Sequence, residues 1–341
     1  MTHQEQRQGE PHYSPSPLGG MKIIDSHIHP GFERPGIESR KGCMRLWKSR
    51  EGVTSATQMS IRRALGDPEP SKPIETPDDI PHFTPQTWID LLDDAGVEKA
   101  VLMGMDTVSD GPHFTPWHVP MEYMKEAFID RYPGRFVGIA GINPKGSPTE
   151  KLETLHKARE LGFKGVKIHT PTAGYPNDRE RCYPIYEKCV QLGLHVEIHT
   201  GVEEIPGTRA KYQDPVFVDD VAVDFPELRI VQLHCGLMNN PRMAIWNVVR
   251  HKHVYTDITV PHPLLMNLKY FNDLEHIRVL EQLCPNKVFF GTDAPLILEI
   301  YKTAINYVKM LPLSPAFKQR LLYANADEFY WGDWREKARQ S

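Results

Sequence analysis

The chain has 341 residues, a quarter of them charged, and a formal net charge of -4. That length suits one large domain, and the near-balanced charge argues against a surface built for nucleic acid or for an anionic membrane. No apolar run approaches the ~20 residues of a membrane helix, and the scattered Cys43, Cys182, Cys189, Cys235 and Cys284 predict reduced thiols in a cytoplasmic protein.

Residues 1–20 are polar and proline-containing, and they read as a disordered leader rather than a secretion signal. A first strand is predicted at 22–27, but its helix, 84–95, follows only after an insertion covering 31–83. Loops that long are unusual inside compact domains and tend to be lids or binding loops. This one carries Arg34, Arg40, Arg45, Arg50, Arg62 and Arg63, then a proline-dense stretch that resists regular structure. Beyond it, strand and helix alternate. Strands are expected at 99–103, 136–141, 165–169, 195–199, 229–234, 254–258 and 287–292. Helices are expected at 120–131, from Ser147-Pro148 with Glu150 in the first turn, at 182–192 with Gly193 as its stop, at 214–224 and at 241–251. Another falls between 264 and 283, and two more span 298–309 and 314–329, before a tail at 331–341. Eight strands, each followed by helix, predict a parallel sheet and, in one domain over 21–330, a closed (β/α)8 TIM barrel. A doubly wound open sheet would bring a glycine-rich phosphate turn after its first strand, and the sequence has none there.

Four of these strands end in side chains that bind metals: Asp25-Ser26-His27-Ile28-His29, Val196-Glu197-Ile198-His199, Val231-Gln232-Leu233-His234 and Phe289-Phe290-Gly291-Thr292-Asp293. Side chains alternate along a strand, so His27 and His29 project the same way and can grip one cation. The later histidines and the aspartate would reach it from the C-terminal rim of a barrel, where active sites lie. Histidines with one carboxylate suit one divalent ion, zinc first and manganese as the alternative, with a position open for water or substrate.

At these residues the chain resembles the amidohydrolase superfamily of metal-dependent barrels. The resemblance is to the branch that includes aminocarboxymuconate semialdehyde decarboxylase and the resorcylate-type decarboxylases. It rests on Ile-Asp-Ser-His-Ile-His at 24–29, Gly-Phe-Lys-Gly-Val-Lys-Ile-His at 162–169 and Gly-Thr-Asp-Ala-Pro at 291–295, and extends over about 21–330. It implies that His27, His29, His199 and Asp293 hold the metal, and that Asp293 also handles a proton. His234 would act on substrate or on the activated water, with a second ligand role as the alternative. A divalent ion lowers the pKa of bound water toward ~7.

Strand four adds Lys167 and His169 on one face. Lys167 could be carbamylated and bridge two metals, as in binuclear members. The simpler reading pairs it with Asp25 or Glu197, expected one alternation below the ligands, because an unpaired inward lysine is costly. His169, Lys167, Arg34 and His262, the last flanked by prolines after strand seven, are expected to bind substrate. His195, at the start of strand five, belongs to the opposite, stabilising end. The first reading of function is hydrolysis of an amide, lactone or related carbonyl bond in a small, carboxylate-bearing molecule. The alternative is non-oxidative decarboxylation of an aromatic or unsaturated carboxylic acid, and a binding protein would have lost ligands that are all present. The expected partners are a small-molecule substrate and a second copy in a homodimer, with no nucleic acid and no membrane.

Overall fold

Nearly every strand residue is buried, because a parallel sheet has helices on one face and, when closed, its own side chains on the other. The computed structural model describes residues 20–30, 84–107, 118–201, 208–259, 273–294 and 301–332. The eight strands are β1 (Ile24–Ile28), β2 (Lys99–Met103), β3 (Phe136–Gly141), β4 (Gly165–Ile168), β5 (His195–His199), β6 (Ile230–Leu233), β7 (Val254–Ile258) and β8 (Val288–Phe290). They pair in parallel and in chain order. The ring closes where Asp293 N donates to His27 O at 2.8 Å and His29 N donates to Ala294 O at 2.7 Å. The predicted (β/α)8 barrel is the observed fold.

The helices start and stop where local chemistry requires. Thr84 caps α1 (Pro85–Ala95), accepting from Thr87 N at 3.0 Å, and Gly96 ends it at φ 70°. A reciprocal capping box opens the Pro148–Glu160 helix, with Ser147 N to Glu150 Oε2 at 2.7 Å and Glu150 N to Ser147 Oγ at 3.2 Å. Two predicted helices are less regular than expected. After Met124 and again after Gln319 the backbone widens into π-type turns, as in Asp130 N to Lys125 O at 2.8 Å. Each extra residue rotates the following side chains by roughly a quarter turn.

In the last element that rotation has a use. Ala326, Phe329 and Tyr330 enter an inner cluster with Ile24, Val101, Met103, Val137, Ile139, Val231, Leu233 and Phe289, and so fill the end of the barrel away from the rim. Arg229 lies over the Phe329 ring, 3.8 Å from its centroid, and donates to Phe329 O at 3.2 Å. Phe329→Ala should destabilise the protein by about 3–5 kcal/mol, the usual cost of emptying a buried aromatic site. Denaturant unfolding measures this, and a loss below 1 kcal/mol would show that the plug is not part of the core.

The described cysteines, Cys182, Cys189, Cys235 and Cys284, are buried and form no disulfide among the described residues. Among the described residues, no helix is long and apolar enough to cross a membrane. The leader, the 31–83 insertion with Arg34, the loop containing His262, and the tail from 333 lie outside the described residues.

Candidate active site

The barrel delivers each expected site residue that is described to one end. His27 is in β1 and His29 just past it, Lys167 is in β4 and His169 just past it, and His199 ends β5. His234 follows β6 and Asp293 lies beyond β8. All seven are buried.

Three of them converge. Asp293 Oδ1 is 3.3 Å from His27 Nε2 and 3.2 Å from His29 Nε2, and the donor atoms of His27, His29 and Asp293 all lie within 4.8 Å of one another. The far side of each ring is already engaged. His27 Nδ1 is 2.8 Å from Asp257 Oδ2, and His29 Nδ1 is 3.2 Å from Met103 O. Carboxylate and carbonyl oxygens only accept, so with the ring proton on Nδ1 in each ring both Nε2 atoms would be free to offer lone pairs to an ion lying between them and Asp293.

His199 stands beside this trio rather than inside it, its ring centroid 4.5 Å from that of His234, which is 5.0 Å from that of His27. Its Nε2 is buried with no hydrogen-bond partner among the described residues. Such an atom is costly unless a cation takes its lone pair. Neutral imidazole nitrogens beside a carboxylate fit a divalent ion such as zinc or manganese.

The electrostatics agree with that donor set. Burial, reinforced by the Lys167 charge, pushes His27 and His29 down to about 3. Burial, with His234 and His169 alongside, holds His199 well below its usual value, and burial takes His234 down to about 4. For Asp293, burial pulls upward, but His27, His29 and His234 together hold its carboxyl far below the carboxylate range. Neutral imidazoles and an ionised carboxylate are the forms that ligate.

The rim is also strained. His234 (φ 66°) and Asp293 (φ 59°) occupy the left-handed region, which costs a non-glycine residue ~1–3 kcal/mol. Hydrogen bonds hold both there: His234 N to Asp257 Oδ1 at 2.5 Å and Asp293 N to His27 O at 2.8 Å. Gly291 is required beside them, since a Cβ there would lie 2.7 Å from His27 Cβ.

One expectation is corrected. Asp25 does not lie beneath His27 on the same face. The pairing of β1 with β2 slips between Asp25↔Ala100 and Ile28↔Leu102, and this bulge breaks the alternation. Asp25 instead joins β1 to β8, accepting from Thr292 N at 3.0 Å and Thr292 Oγ1 at 2.6 Å. Lys167 Nζ lies 3.2 Å from His27 Nε2. Glu197, its neighbour in the ladder, is held by His195 at 2.9 Å and Tyr330 at 3.0 Å, and burial pushes it up to about 8. His195 thus sits at the plugged end, as expected. His169 shares a 2.9 Å hydrogen bond with Thr172 through Nδ1, and its ring is 5.2 Å from that of His199.

Sequence reasoning missed Asp257, Thr259, Met103 O and Thr292. Asp257 left a signal: a carboxylate in a strand whose other residues suit a sheet. The carbonyl and threonine contacts left none, because they depend on how strands pair.

A model of the amidohydrolase family matches residues 24–331. Among solved structures, the chain is similar to an uncharacterised TIM-barrel protein from Bordetella bronchiseptica, at 20% identity and TM-score 0.69, over 92% of this chain and 99% of that one. It is also similar to a probable 2-pyrone-4,6-dicarboxylic acid hydrolase from Acinetobacter baumannii with citric acid bound, at 18% identity and TM-score 0.54, over 91% of this chain and 100% of that one. A third is a 5-carboxyvanillate decarboxylase from Novosphingobium aromaticivorans in complex with manganese and 4-hydroxy-3-methoxy-5-nitrobenzoic acid, at 15% identity and TM-score 0.56, over 91% of this chain and 96% of that one. At these identities the structures share a fold with this chain, and the family rests on the sequence model. The chain belongs to the amidohydrolase family and is an enzyme.

Proposed function

We propose that this enzyme is a metal-dependent hydrolase that cleaves an amide, lactone or related carbonyl bond of a small, carboxylate-bearing molecule. The observation that carries the reading is the convergence of His27 Nε2 and His29 Nε2 on Asp293 Oδ1, with both Nδ1 atoms tied back. His27, His29, His199 and Asp293 would hold one divalent ion, for which we propose zinc with manganese as the alternative. That ion supplies activated water at neutral pH and polarises a carbonyl.

The chain's own groups do the rest. The Asp293 carboxylate accepts a proton, and the His234 imidazole, steadied by Thr259 Oγ1 at 2.5 Å, acts on the substrate carbonyl. Lys167 and His169 bind the substrate's anionic end, with Arg34 and His262 contributing from loops beyond the described residues. We propose a cytoplasmic homodimer.

Decarboxylation of an aromatic or unsaturated acid is the second reading. It is favoured by the cationic Lys167 beside the cluster and by the decarboxylase among the similar structures. Metal-loaded protein assayed on a panel of lactones and amides, and on a panel of such acids, separates the two. Hydrolysis without carbon dioxide supports the first, whereas carbon dioxide release from the acids with no hydrolysis overturns it.

The arginines of the insertion allow a further check. Arg34 follows His29 by five residues, a span of at most ~18 Å. Guanidinium pairs bidentately with carboxylate. Arg34→Ala should therefore raise KM several-fold for a carboxylate substrate, leave KM for a neutral analogue unchanged and leave metal content intact. Equal kinetics on both substrates across Arg34→Ala, Arg40→Ala and Arg45→Ala would reduce the insertion to packing.

A further inference from the structure

β7 carries none of the four proposed ligands, yet it holds two histidines of the site. Asp257 is buried, and its two oxygens are divided between neighbouring strands: Oδ2 lies 2.8 Å from His27 Nδ1, and Oδ1 accepts from His234 N at 2.5 Å. Two residues on, Thr259 Oγ1 meets His234 Nδ1 at 2.5 Å. The opposite edge of the His27 ring bears on the same proton. Lys167 Nζ is 3.2 Å from His27 Nε2, and an ammonium group only donates. Asp293 Oδ1 is 3.3 Å from the same Nε2, but the 2.8 Å contact of Nδ1 with Asp257 is the shortest that the ring makes, so Nδ1 is the donor and Nε2 accepts from Lys167.

We infer that Asp257 is a positioning residue, fixing the His27 tautomer whose Nε2 lone pair is available to a divalent ion while pinning the left-handed backbone of His234 with the same carboxylate. Its effect on the ion rests on the metal reading above, whereas the tautomer does not. A carboxylate can serve both neighbours because both of its oxygens accept. A carboxamide cannot. In Asp257→Asn one oxygen must still receive the His234 N–H, so the amide NH2 faces His27 Nδ1. His27 Nδ1 must then accept, and its ring proton moves to Nε2, blocking the lone pair.

The test is histidine nitrogen NMR on metal-free, 15N-labelled protein, with the His27 signals assigned by their absence in His27→Asn. The parent protein should show Nδ1–H and a bare Nε2, and Asp257→Asn should show the reverse. Zinc affinity, measured by competition with a chelator dye, should fall about 10–100-fold in Asp257→Asn, the usual effect of removing a carboxylate behind a ligating histidine. A parent His27 protonated on Nε2 overturns the inference without need of a variant. So does Asp257→Asn that is folded by circular dichroism and binds zinc as the parent does. Loss of the Nδ1–H signal when zinc is added to the parent would make Asp257 and Nδ1 ligands themselves, and would overturn it too. A protein with the stated tautomer that hydrolyses nothing would defeat the hydrolase reading alone.

Discussion

Replacing His27 and His29 together with alanine should remove the divalent ion and, with it, all measurable activity. These two side chains supply the pair of Nε2 atoms that meet at Asp293 Oδ1, and no other described strand offers two imidazoles to one point. Because ligands come from strands distant in sequence, the site exists only in the folded chain, and losing half its donors leaves too little affinity to hold an ion. Elemental analysis of purified protein should read about one ion per chain in the parent and none in the double variant. A thermal scan of both metal-free proteins separates ligand loss from unfolding. Full occupancy in a folded double variant would refute the assignment, and two ions per parent chain would restore a carbamylated Lys167 as a bridging group.

Asp293→Asn and His234→Asn should each retain most of the metal and lose about 10²–10⁴ in turnover, the range typical of acid–base groups. Asparagine is the suitable replacement at both positions because, among non-glycine residues, it is one of the few that readily adopts positive φ. The strained backbone at φ 59° and φ 66° is thereby preserved while the proton-handling group is lost. Single-turnover kinetics beside metal analysis gives the result. Metal loss in the His234 variant would make that residue a ligand.

The strands, the helix caps and the His-x-His of the first strand could be read from the sequence because each depends on local spacing. The Ser147–Glu150 box and the Gly193 stop appear where their chemistry requires them. Asp25 misled because a single extra residue in β1 inverts the facing that simple alternation predicts. Asp257 could be recognised as a buried charge, but its two partners lie in β1 and just past β6, and only closure of the ring brings them together. The helical segments around 121–129 and 315–331 could be placed, but not their π-type turns, which follow from how the chain packs beneath the barrel.

The plug sets an order on how this protein comes into being. Phe329 and Tyr330 follow β8 in the chain, so a ribosome delivers all eight strands before it delivers the residues that fill their lower interior. At ordinary synthesis rates that interval is on the order of seconds. During it, Val101, Val137 and Val231 lack their aromatic cover, and Glu197 lacks the Tyr330 hydroxyl. Until those final turns of helix pack, the base of a barrel assembled from the eight strands is open and apolar.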